Sequence, residues 1–159
     1  MIHLDDLRNF VIRPALEWLE MGGQAAEELL LGTALQESNG VYLTQRGGPA
    51  LGLWQMEPDT HDDIWRNFLR YRSDLAGLVR GLALAHTAHT AIPDAAQMMS
   101  NLLYACAMAR IHYFRSPRPL PAVGDVKAQA AYWDEVYNCN PAKGHTSQYV
   151  ANWTSLTRV

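Results

Sequence analysis

A mostly α, single-domain fold is predicted by three features of the chain. Apolar residues recur at helical spacing along most of its length. Strand-like alternation is negligible outside one Gly-rich stretch between residues 40 and 54. The 159 residues suffice for one hydrophobic core, and 48% apolar against 18% charged residues fits a folded globular chain.

Taken in order, Leu4 to Met21 reads as a helix with Leu7, Phe10, Val11, Leu16 and Leu19 on roughly one face, kinked or split by Pro14. Gly22-Gly23 breaks it, and Gln24 to Ser38 forms the second helix. Ser38-Asn39-Gly40 reads as its stop, with Gly40 suited to the left-handed cap. Residues 40 to 54 hold Gly47-Gly48-Pro49 and read as a loop or a short β-hairpin. Asp59 fits the N-cap of a helix reaching about Tyr71, and Ser73 the cap of another running from Asp74 to about His89. Pro93-Asp94 opens a longer helix to Phe114, with Met98, Leu102, Ala105, Ala109 and His112 in register. Pro117, Pro119 and Pro121 stiffen a connector. Asp125 to Tyr137 is helical, 138 to 144 a loop, and Thr146 or Ser147 caps a last helix to about Leu156.

Charge and composition exclude several roles. The net charge is −3, with no basic stripe or tail, so no nucleic-acid partner is expected. The partner should be neutral, or recognised by shape and hydrogen bonds. Asp5 and Asp6 come too early for a secretory signal, and no apolar run is long enough to insert in a membrane. Cys106 and Cys139 make no framework: Cys106 reads as a buried free thiol, and a single bridge between the two stays open. No metal or organic cofactor is implied. His86 and His89, three apart, have no acidic or thiol ligand placed with them and read as a solvated or core pair. Lys143-Gly144-His145 reads as a turn, and the role of His61 stays open.

Chemistry concentrates on Glu37. Ala26, Leu29, Leu30, Thr33, Ala34 and Glu37 share one helical face, so the carboxylate points with the core residues. It also sits in the last turn, at the negative end of the helix dipole. Partial burial and that dipole both penalise the charged form and raise the pKa, which suits a general acid.

Glu37-Ser38 together with Ala50-Leu-Gly-Leu-Trp-Gln-Met-Glu-Pro-Asp-Thr60 resembles the lysozyme-like superfamily of soluble lytic transglycosylases, where a helix ends in Glu-Ser and a Gly-Leu-Met-Gln segment closes the cleft. Trp54 stands in the methionine position. The stretches Gly47 to Pro58, Ala131 to Asn138, Ala142 to Thr146 and Tyr149 to Trp153 are similar to a group of small bacteriophage-encoded proteins of this class. The resemblance implies a lysozyme-like fold of transglycosylase type and a role for Glu37 as the catalytic acid/base. It implies that Gln55 faces the sugar site, that Gly52 lets backbone approach the substrate and that Tyr149 approaches Glu37. Tyr104 falls where the family carries Ala-Tyr-Asn, but its neighbours here are Leu103 and Ala105. Glu57 is the better candidate for a second carboxylate, since capping accounts for Asp59. Trp54 is expected to plug the core beneath the loop rather than to stack on a sugar.

The expected activity is therefore cleavage of the β-1,4 bond between N-acetylmuramic acid and N-acetylglucosamine in peptidoglycan, with 1,6-anhydro ends as the product the resemblance implies. The implied partners are glycan strands and other virion (tail) proteins, and the implied setting is a phage particle acting on the host periplasm or wall. The rivals are a hydrolytic muramidase endolysin and a structural virion protein that keeps the shape without the chemistry.

Overall fold

The structure, a computed structural model, describes residues 1–84, 91–138 and 145–156. Its helices are α1 (Leu4–Leu7), α2 (Arg13–Trp18), α3 (Gln24–Ser38), α4 (Pro58–Asn67), α5 (Ser73–Gly81), α6 (Leu102–Phe114), α7 (Val126–Val136) and α8 (Thr146–Leu156). Together they form one mostly helical domain around α3, which α2, α6, α7 and α8 all touch. Nearly every residue of α3 from Ala26 to Leu35 is buried, as expected of a helix that is apolar all round. Its two inward acids are held by partners. Glu27 accepts both the Nε and Nη2 hydrogens of Arg13 at 2.9 Å, and Glu28 Oε2 accepts from Gly124 N at 2.7 Å and Gln129 Nε2 at 3.0 Å.

Several boundaries depart from the sequence reading. The first helix is interrupted just ahead of Pro14, which stands in the first turn of α2. A π turn over Arg8–Ile12 joins α1 to α2, and this wider turn accommodates the ring that would otherwise press on the carbonyl four residues back. The helix then ends at Trp18, short of Met21. The left-handed cap of α3 is Asn39, at φ 53°, with Gly40 left-handed behind it at φ 64°. No hairpin forms after α3 among the described residues. Thr44, Leu51 and Met56 make only isolated antiparallel bridges, because the segment folds into successive tight turns closed by Gln45 N to Ala50 O and Met56 N to Leu51 O. α4 starts at Pro58, so Glu57 and not Asp59 takes the N-cap position, and proline's fixed φ suits the first helical residue. The α-helical part of that segment stops at Asn67, and a 3₁₀ turn covers Leu69–Tyr71.

A single side chain divides the next two predicted helices. The Asn101 Nδ2 donates to Leu82 O at 2.6 Å, just past the end of α5, and its Oδ1 accepts from Tyr104 N at 3.1 Å, capping α6. The expected helix from Pro93 to Phe114 is thus a 3₁₀ turn over Ala95–Met99, capped by Asp94, followed by α6. The expected 74–89 helix ends at Gly81, and residues 85–90, with His86 and His89, lie outside the described residues, as does Cys139. Cys106 carries a free, buried thiol. Among the described residues no helix is long and apolar enough to cross a membrane.

Candidate active site

The end of α3 is tied to the irregular segment behind it. Ser38 Oγ donates to Leu53 O at 2.8 Å, with Ala34 O at 3.1 Å as its second acceptor. Trp54, 1% exposed, donates its indole hydrogen to Leu30 O at 2.9 Å, so it is a core residue as the sequence suggests. Tyr137, just beyond α7, donates its hydroxyl to Trp54 O at 2.8 Å. These bonds fix the relative positions of α3, the 51–56 turn and the end of α7.

A cleft of about 530 Å³ opens between them, lined by Glu37, Gln45, Gln55, Glu57, His112 and Tyr137 among others. Glu37 is half-buried, and its Oε1 accepts the Trp133 indole hydrogen at 2.8 Å. Burial pushes its carboxyl up to about 7, against the weaker opposing pull of the Trp133 hydrogen bond, which favours the ionised form. A carboxyl group in this state can give a proton near neutrality and take one back.

The other expected residues divide into two groups. Gln55 and Glu57 join Glu37 in the cleft. Gln55 has φ 45° and donates its Nε2 to Gly52 O at 2.7 Å; Glu57 is exposed at the head of α4. Gly52, Tyr104 and Tyr149 do not line the cleft. Gly52 is buried at φ 74°, and a Cβ there would lie 2.6 Å from Met98 O. The fold itself therefore requires glycine here. Tyr104 is fully buried, and its hydroxyl meets His61 Nε2 at 2.7 Å and Trp65 Nε1 at 3.0 Å. His61 is likewise in the core, with Nδ1 on Asp62 at 2.9 Å. Tyr149 is directed at Leu29 O (3.5 Å) and makes no hydrogen bond to Glu37. Its ring instead backs Trp133, at 5.8 Å between centroids.

Two functional neighbours escaped the sequence reading. Trp133 is 96 residues from Glu37, and nothing local in the sequence marks it as a partner. His112 was assigned only to a helical face. It is buried against Tyr137, edge to face at 4.9 Å, and its Nδ1 accepts from Arg115 Nη2 at 2.9 Å. Burial, then the neighbouring Arg115 charge, pushes its ring down to about 4, so it is neutral at pH 7. A helical register at 112 and an aromatic-rich stretch at 132–137 were the available signals.

Among the described residues no group of three or more His, Cys, Asp or Glu could hold a metal ion. No protein-family model, no curated protein and no solved structure matches the chain.

Proposed function

We propose that this chain cleaves the glycan strand of peptidoglycan at the β-1,4 bond between N-acetylmuramic acid and N-acetylglucosamine, with Glu37 as general acid and then general base. The observation that carries the reading is a half-buried carboxyl, raised to about 7 by burial, on the wall of a cleft that also presents Gln55 and Glu57. A mostly helical domain with an irregular segment after the helix of Glu37 supports a lysozyme-like, transglycosylase-type architecture. The setting we propose is a phage virion acting on the host wall.

Protonated Glu37 donates to the glycosidic oxygen as the C1–O bond breaks. The positive charge at C1 is quenched by the acetamido oxygen of the muramyl residue, which forms a cyclic intermediate. Ionised Glu37 then takes the proton from the 6-hydroxyl, whose oxygen attacks C1 and expels the acetamido group. Glu37 ends as it began and a 1,6-anhydro end is left. A water activated in the second step gives a reducing end instead. Glu57 lines the same cleft and is the second carboxylate we propose for that hydrolytic outcome.

A zymogram on purified peptidoglycan with wild type and Glu37→Gln tests the assignment. The wild type should clear and the variant should not. No clearing by the wild type, or equal clearing by both, overturns it. Mass spectrometry of the released muropeptides then separates anhydro from reducing ends.

A further inference from the structure

We propose that Trp133 is a positioning residue that divides the labour of the two Glu37 oxygens: its indole hydrogen holds Oε1, and the acidic hydrogen resides on Oε2, the oxygen open to the cleft. An indole nitrogen only donates, so it meets Oε1 as an acceptor whether the carboxyl is charged or neutral. The acidic hydrogen is thereby directed to the other oxygen. Among the described residues the only buried side-chain oxygen without a partner is Gln129 Oε1. Among the described residues Glu37 Oε2 has no hydrogen-bond partner and is not one of the buried unpartnered atoms, and Glu37 lines the cleft.

Trp133 is itself held. It is 3% exposed on α7, and the Tyr149 ring of α8 packs behind it. This gives Tyr149 a task one step removed from the carboxyl. The titratable groups around Glu37 are His112 and Tyr113 of α6, Tyr137 after α7, Tyr149 of α8 and Glu57 before α4. The two causes that move the Glu37 carboxyl are burial and the Trp133 bond alone. The use of Oε2 as the donor rests on the proposed function; the assignment of the oxygens does not.

Nitrogen-15 labelled protein tests this through the indole N–H signals, titrated from pH 4.5 to 9. The Trp133 signal should shift in one step whose midpoint matches that of the Glu37 carboxyl carbon, and the step should vanish in Glu37→Gln. Trp133→Phe keeps the ring bulk and removes the donor. In that variant the Glu37 midpoint should rise by about one pH unit, since a hydrogen bond favouring the charged form is lost. The alkaline limb of clearing should rise with it. An indole signal blind to the step, or a Glu37 midpoint unmoved or lowered in folded Trp133→Phe, overturns the proposal. If Trp133→Phe does not fold, the wild-type and Glu37→Gln titrations decide alone. A chain that titrates as stated yet clears nothing overturns the functional reading only. A chain that clears peptidoglycan with an unresponsive indole overturns this inference only.

Discussion

Ser38 Oγ lies 2.8 Å from Leu53 O, joining the residue after the candidate acid to the turn whose Gln55 and Met56 line the cleft with it. The two residues are buried, so the bond is shielded from water. Removing the hydroxyl strands a buried carbonyl. Ser38→Ala should cost about 1–2 kcal/mol. For a chain of this length that lowers Tm by roughly 3–6 °C. The same change loosens Glu37 against the cleft, so clearing activity should fall more than stability predicts. A melt and a turbidity assay check both; an unchanged Tm would sink the claim.

Activity should depend on pH through Glu37. The proposed first step needs its protonated form, and the folded carboxyl titrates near 7. Clearing should therefore decline as pH rises through about 7. A profile still climbing well above neutrality would exclude Glu37 as the acid.

Stability should show the opposite face of the same shift. The folded pKa lies above the ordinary value of 4.5, so the folded state retains a proton that the unfolded chain gives up. The stabilising contribution is complete below about pH 4.5 and is lost as pH rises through about 7. Glu37→Gln should then be more stable than wild type at pH 8, by on the order of 2 kcal/mol, with the gap closing towards pH 4. Urea unfolding at both pH values measures this.

His112 acts in the other direction. Its ring is held down to about 4, so the unfolded chain gains a proton that the folded one refuses. Stability from this residue is intact above about pH 6.5 and is lost as pH falls through about 4. His61, also lowered by burial, adds to the same trend. Unfolding free energies of wild type and His112→Gln should converge on acidification, because the wild type loses more. Parallel curves would contradict a buried neutral imidazole.

Gly52→Ala should destabilise strongly through an internal clash. The new Cβ would meet Met98 O at 2.6 Å, and φ 74° strains any L side chain. The cost should be about 2–4 kcal/mol. Soluble yield and Tm report it; near-native values would mean that the 98 carbonyl can move aside.

What the sequence revealed followed from locality. The Gln24–Ser38 helix and the inward turn of Glu37 were readable because spacing alone sets both. The helix from Asp125 was readable for the same reason; in the fold Asp125 caps α7, its carboxylate accepting from Ala128 N at 3.0 Å. Asn101 was opaque. Its two amide bonds reach Leu82 and Tyr104, and only the folded chain shows that it ends one helix and begins another. Trp133 was opaque in the same way, since its partner lies on a distant helix. Tyr104 was singled out by resemblance alone, and its hydroxyl partners, His61 and Trp65, are visible only in the folded chain.

The Gln55 amide is pinned from within: one of its two N–H hydrogens is held by Gly52 O, while the left-handed backbone keeps the side chain at the wall. What it can still offer a visitor is lone-pair density on its oxygen and the second hydrogen of its amide. The wall thus suits groups that both give and take a hydrogen bond, such as a sugar hydroxyl or an acetamido group. Discrimination at this point of the surface is written into a turn, before any ligand is chosen.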